Sequence, residues 1–288
     1  MFYYQLTGSG SACGYTAAIV AVSFNFRRKR NLAIGIAMSG IGLGMFAFAP
    51  LMQMARDYYG FTGFFITMAG IHINIITAGV LCFPSQLEKY SQAKRNPERI
   101  AKISNRTIET ITTYVNVLLR KGIVCICFSM LVYGLGSVAL YVHLPKYIIS
   151  KGFTNEQAAF LLALSGIANT LGRLGAGCVA NFDRVSELFT YSGSMAVIAI
   201  VTMIYPSMAH YYACQVVFVV SLGLFVGCCF VVIPTLSLRF VGIEHISTAI
   251  GTEFLICGLG AICGPVIVGK ICASTTYRCL HNVIFIIV

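Results

Sequence analysis

The sequence predicts an all-α, polytopic membrane protein, and three observations carry that reading. Of 288 residues, 58% are hydrophobic and only 10% charged, with a mean hydropathy of +0.83. A soluble domain carries about 25% charged residues, so this composition cannot cover a surface that faces water. The apolar residues fall in runs long enough to cross hydrocarbon, which takes about 20 residues per helix. The 20 Lys and Arg gather in short stretches between those runs.

Eight spans follow in order, at 6–26, 32–52, 61–83, 122–145, 157–181, 188–206, 211–238 and 247–273, and a ninth begins near 280. The first follows Met1 with no basic n-region, so it reads as a membrane helix rather than a cleavable signal. The second carries Gly35, Ser39, Gly40 and Gly44. Small residues let membrane helices approach closely, and the G-x-x-x-G of Gly40 and Gly44 predicts a packing face there. The third holds His72 and Asn74, either bonded to a neighbouring helix or, for His72, available as a proton carrier. The fourth places Tyr133 and Tyr141 eight residues apart, on one helix face. They line a pocket or mark a membrane interface; Tyr15 in the first span has the same two readings. The fifth is glycine-rich (Gly166, Gly172, Gly175, Gly177), the sixth and seventh are apolar, and the eighth contains Glu253.

The one long polar stretch, 85–121, reads SQLEKYSQAKRNPERIAKISNRTIETITTYVNVLLRKG through Gly122. It divides the chain into a first helix group (1–84), a basic linker (85–121) and a second helix group (122–288). Loops 27–31, 84–121, 182–187 and 239–246 hold fourteen Lys and Arg, against five on the opposite side. Basic loops face the cytoplasm, so the linker is expected there. The sequon Asn105-Arg106-Thr107 inside it should then never be glycosylated.

Other function classes leave no trace. The net charge of +11 sits in loops beside anionic lipid, not in a patch for nucleic acid. Most of the 12 cysteines lie inside apolar runs, where cysteine is a small hydrophobe. No Cys or His spacing suggests a metal site, and no cofactor is implied. No G-x-S-x-G, no H-E-x-x-H and no paired intramembrane aspartates point to an enzyme.

Arg173 is the most informative residue. It is the only charge in Leu161 to Ala180, LLALSGIANTLGRLGAGCVA. A guanidinium at the centre of a bilayer helix costs about 2.5–3.5 kcal/mol on insertion scales, so it must face a cavity, a partner or a ligand. Ser165, Asn169 and Arg173 are spaced i, i+4, i+8 and share one face. A carboxylate can take two parallel N–H bonds from Arg173, with Asn169 donating or accepting beside it. The alternative is a structural lock onto carbonyls or an acid of another helix. Glu253 either pairs with Arg173 or reaches the interface.

The stretch SFNFRRKRNLAIGIAMSGIGLGMFAFAPL, residues 23–51, resembles the second signature of the monocarboxylate transporter family of the major facilitator superfamily. Phe26, Arg27, Arg28, Lys29, Arg30, Leu32, Ala33, Gly35, Ala37 and Gly40 fit that pattern, and Pro50, Tyr59 and Gly60 extend it. AAFLLALSGIANTLGRLGAGCVAN, 158–181, is similar to the family's eighth helix, with its arginine at Arg173. STAIG at 247–251 and Gly264–Pro265 resemble its eleventh. The likeness runs from the fourth helix to the start of the twelfth, so the first three helices, the first signature and the first-helix lysine have no counterpart here. It implies an incomplete major facilitator bundle, with 1–84 as helices 4–6 and 122–288 as helices 7–11 and the start of 12.

The resemblance further implies a secondary transporter of small monocarboxylates or related carboxylated or zwitterionic metabolites, in the plasma membrane, working by alternating access. A single-span glycoprotein chaperone is the partner such carriers can need. One departure bears on mechanism: proton-coupled members carry an aspartate one turn before the arginine, and here that position is Asn169. Facilitated transport is therefore expected over strong proton coupling, with Glu253 or His72 as substitute carriers. The alternatives are a fragment without transport of its own, or a polytopic receptor or channel.

Overall fold

The computed structural model describes residues 2–26, 29–81, 115–116, 118–180 and 185–274. Seven α-helices account for almost all of them: α1 (Phe2–Asn25), α2 (Arg30–Leu81), α3 (Lys121–Ser150), α4 (Asn155–Val179), α5 (Glu187–Met208), α6 (Tyr212–Val241) and α7 (Ile246–Ser274). A single 3-10 turn, Ile243–His245, joins α6 to α7. All eight expected spans are helical. Five helical stretches among the described residues are long and apolar enough to cross a membrane, namely α3, α4, α5, α6 and Ile243–Lys270. The ninth span, the sequon at Asn105, and Arg27 and Arg28 lie outside the described residues, as does linker 85–121 apart from 115–116 and 118–121.

The helix boundaries follow from local chemistry. Thr154 opens α4 with a capping box: its hydroxyl accepts from Gln157 N at 3.2 Å, and Gln157 Oε1 accepts from Thr154 N at 2.9 Å. Two orphan donors are satisfied reciprocally. Gly242, at φ 76°, ends α6 in a conformation that side chains resist.

The second and third spans differ from expectation. No loop separates them: helix continues through 53–59 and breaks only at Gly60, at φ 66° and ψ −165°. The packing face of α2 also differs. Gly40 meets nothing, and Gly44 meets only Phe48 of its own helix. Gly35 and Gly42 make the close approach instead. A Cβ at Gly35 would lie 2.7 Å from Arg173 O, and one at Gly42 would lie 2.8 Å from Gly166 O. These two are seven residues apart, two turns along one face, whereas Gly40 points away.

Two helix pairs form the core, α3 with α7 and α4 with α6; α5 lies on α6, and the first half of α2 lies on α4. Each pair closes over glycine. A Cβ at Gly134 would sit 2.3 Å from Cys257 O, one at Gly264 2.1 Å from Leu135 O, and one at Gly172 2.0 Å from Leu224 O. In lipid the apolar surface gives no drive to associate, so such backbone contact is what holds helices together.

Asn31 adds a polar tie. It is buried, donates to Ala180 O at 2.8 Å and accepts from Thr235 Oγ1, joining α2 to the C-terminus of α4 and to α6. Arg30 Nε donates to Ser23 O at 3.0 Å and ties α2 back to α1. Lys29 stands exposed just before α2. Of the basic cluster's described members, Arg30 serves as a helix-to-helix clasp.

Candidate functional site

Arg173 sits on α4, two turns before its C-terminus, and is only 5% exposed. Glycine makes that position possible. Gly223 and Gly227 on α6 bring the backbones so close that added Cβ atoms would meet Ser165 O at 2.3 Å and Asn169 O at 2.4 Å. The face carrying Ser165, Asn169 and Arg173 is thereby fixed inside the bundle rather than toward lipid.

The guanidinium is held along one edge. Its Nε donates to Asn169 Oδ1 at 2.7 Å, and Asn169 Nδ2 donates to Gly223 O at 3.2 Å. The group lies over the Phe230 ring, 5.7 Å from the centroid, a favourable cation–π placement. The Tyr15 phenol is a hydrogen-bond partner of the guanidinium, and the phenols of Tyr133 and Tyr141 interact with it electrostatically. Among the described residues no carboxylate is paired with it; elsewhere Arg239 pairs with Glu187 at 3.7 Å, between α6 and α5. Arg173 Nη1 is buried with no hydrogen-bond partner among them. A buried donor without a partner costs about 1–3 kcal/mol, more when charged. An anion arriving at Nη1 removes that cost and supplies the missing countercharge.

Aromatic rings from four helices close around this edge. Tyr15 meets Phe254 edge-on at 5.3 Å, Phe254 stacks on Phe230 at 6.2 Å, and Phe230 meets Tyr133 edge-on at 5.4 Å. Tyr141 Oη lies 3.3 Å from Ser165 Oγ, and Ser165 is only 2% exposed. Five helices, α1, α3, α4, α6 and α7, therefore converge on one guanidinium.

The structure brings Ser165, Asn169, Arg173, Tyr133 and Tyr141 together. Asn169 holds Arg173 and has both ends of its amide engaged, so it acts as a positioning residue in this arrangement. Gly35 belongs to the same neighbourhood through its approach to Arg173 O; Gly40 does not. Glu253 is fully buried but neither pairs with Arg173 nor reaches an interface. Its carboxylate oxygens lie 2.7 and 2.9 Å from Ser237 Oγ on α6. His72 bonds Met68 O at 2.8 Å, and Asn74 donates to Gly70 O at 3.2 Å, both within their own helix. The expected interhelical bond of Asn74 is thus replaced by a local one. No three His, Cys, Asp or Glu side chains gather into a metal-binding group among the described residues.

Sequence reasoning missed Phe230, Phe254, Asn31 and Thr235. Phe230 sits in a wholly apolar run with nothing to mark it, and Phe254 is overshadowed by its neighbour Glu253. Gly223 and Gly227, four residues apart on α6, were the readable signal that α6 faces the Arg173 helix.

The structure thus sets a buried cation where five helices of an apolar, polytopic chain converge. Residues 1–286 match the family model of the Major Facilitator Superfamily, so the chain belongs to that superfamily. Within it, the chain is similar to monocarboxylate transporters. It is 28% identical to Monocarboxylate transporter 12 of Homo sapiens over 94% of this chain and 56% of that protein. It is 27% identical to Monocarboxylate transporter 4 of Gallus gallus, over 92% and 55% respectively. With Monocarboxylate transporter 2 of Rattus norvegicus the figures are 26%, 95% and 58%. The chain thus spans little more than half the length of these relatives.

Proposed function

We propose that the full-length protein carries a small monocarboxylate, or a related carboxylated or zwitterionic metabolite, across the plasma membrane by alternating access. The observation that carries this reading is Arg173 Nη1, buried and without a partner among the described residues, on an arginine already oriented by Asn169. A carboxylate oxygen can accept a charge-assisted bond from that Nη1, and its second oxygen can compete for the donor now shared with Tyr15. The relatives' names, all monocarboxylate transporters, support the same class. Asn169 cannot titrate, which supports facilitated transport with weak pH dependence. A single-span glycoprotein chaperone belongs to the same proposal.

The test is uptake of labelled pyruvate by the full-length protein, wild type beside Arg173→Lys, with surface protein quantified in parallel. Lysine keeps the charge and loses the fork. Severely reduced uptake at normal surface level is expected. Loss of surface protein instead assigns Arg173 to structure, and unchanged uptake defeats the anion-site reading.

A further inference from the structure

A cavity of about 450 Å³ opens between α3, α5 and α6, and Tyr133 and Tyr141 form part of its wall. Tyr133 packs edge-on at 5.4 Å against Phe230, the ring that carries Arg173, and Tyr141 Oη meets Ser165 Oγ at 3.3 Å on the face of α4 that bears Arg173. The cavity and the guanidinium are therefore neighbours across a two-tyrosine partition. Small side chains make the room: Gly136 and Ala139 on α3, Ala196 and Ala199 on α5. No charged residue lines it.

Its hydroxyls are already engaged. Ser129 Oγ lies 2.7 Å from Tyr191 Oη, and Thr202 Oγ1 donates to Ile198 O at 2.6 Å. Tyr141 meets Ser165, and Tyr133 is bonded with Ser137. The remaining wall is apolar, from Phe128, Val132 and Leu140 on α3 to Met195 on α5 and Leu222 and Val226 on α6. An occupant with polar groups would bury them against spent donors, at a cost of several kcal/mol on hydrocarbon scales. Ligand pockets span roughly 300–1,000 Å³, so this volume exceeds the need of a three-carbon acid.

We propose that this cavity receives the apolar body of the substrate, so that the carrier selects monocarboxylates with a bulky, uncharged aliphatic or aromatic tail. This rests on the anion-site reading of Arg173, which holds the head group while Tyr133 and Tyr141 form the threshold between the two compartments. Short acids use the anchor alone.

The experiment compares phenylpyruvate with pyruvate in proteoliposomes of the full-length protein. Wild type takes up phenylpyruvate, and Ala199→Phe, which fills the cavity, lowers the phenylpyruvate-to-pyruvate uptake ratio about tenfold or more. Ala196→Leu, a smaller change nearer the exposed face of α5, lowers the same ratio less and stands in if Ala199→Phe loses its cooperative melt. Arg173→Lys lowers both acids together. A ratio unmoved by both cavity variants, or wild-type exclusion of phenylpyruvate alongside pyruvate uptake, overturns the tail pocket and leaves the anchor standing. If wild type takes up neither acid, the transport reading fails. Thermal stabilisation then decides the cavity: phenylpyruvate raising the melting temperature of wild type but not of Ala199→Phe upholds it, and equal shifts reject it.

Discussion

The α4–α6 pair and the second half of α2 are made from similar material and behave differently. Both are apolar helices with glycines and a few polar side chains. In the pair, Gly172, Gly223 and Gly227 each face backbone of the partner helix. In α2 beyond Gly60, Gly70 and Gly79 face nothing among the described residues, and there Phe61, Ile66, Ile73 and Ile76 are exposed. The polar residues divide likewise. Asn31 and Asn169 bond across helices, whereas His72 and Asn74 bond back to their own. Composition makes a membrane helix; only a facing backbone turns its glycines into contacts and its polar groups into ties.

The largest effect expected from this contrast is on folding. A Cβ at Gly172 would lie 2.0 Å from Leu224 O, a backbone atom that cannot swing aside. Overpacking costs about 1–3 kcal/mol and more where backbone must move. Gly172→Val should abolish a monodisperse, folded protein in fluorescence-detected size exclusion. Gly70→Ala, with open space around it, should leave the elution profile unchanged and raise stability slightly through helix propensity. Equal damage from both would remove the distinction between the two regions.

The next effect is on uptake. Removing one of two parallel charge-assisted bonds costs about 1.5–3 kcal/mol, so Arg173→Lys should lower monocarboxylate uptake about 10- to 100-fold. His72→Gln should leave it within about twofold, since the imidazole bonds only Met68 O. Initial-rate measurements on both, normalised to surface protein, check the pair. A large loss in His72→Gln would mean that α2 beyond Gly60 takes part in the transport path.

How far the sequence could go depends on the same contrast. Hydropathy placed helix wherever a span was expected, because crossing a bilayer fixes length and polarity, but it did not show that 53–59 continues the helix as far as Gly60. Arg173 was legible as the candidate because a lone intramembrane charge needs a reason, and the structure buries it where five helices meet. The face of α2 was not: Gly40 and Gly44 fit a packing motif as well as Gly35 and Gly42 do, and only the position of α4 separates them. Glu253 was legible as unusual but not as a partner of Ser237, since that bond joins two helices through side chains that propensity does not mark. Phe230 and Phe254 were invisible among the 20 phenylalanines.

A smaller effect is expected at Asn31. Its amide satisfies Ala180 O and accepts from Thr235, tying three helices at one end of the bundle. Asn31→Leu should lower thermal stability by about 1–3 kcal/mol through the stranded partners. Thr235→Val should lose most of its own effect in that background, as a double-mutant cycle reads coupling. Asn74→Leu should cost almost nothing, since the bonds lost lie within one helix. Additive losses at Asn31 and Thr235 would deny the tie.

The smallest effect, and the one that sharpens the site most, concerns protons. Asn169 Oδ1 accepts from Arg173 Nε, and Nδ2 is anchored on Gly223 O. Aspartate has nearly the same shape but no N–H for Gly223, and its charge faces a guanidinium that otherwise has no ion-pair partner among the described residues. Two consequences oppose one another. The new carboxylate competes with substrate for Arg173, so uptake without a gradient should fall by about threefold to tenfold. Protonation of that carboxylate frees the guanidinium again, so uptake should now rise as the outside is acidified. Wild type should respond weakly to an imposed pH gradient, because amide nitrogen does not titrate in this range. The measurement is pyruvate uptake by the full-length protein with and without an inward proton gradient, wild type beside Asn169→Asp and Glu253→Gln. Strong gradient-driven accumulation by wild type, lost in Glu253→Gln, would place coupling at the buried Glu253–Ser237 contact instead. A weak wild-type response with a gain in Asn169→Asp would make this one position on α4 the determinant of whether a proton accompanies the anion.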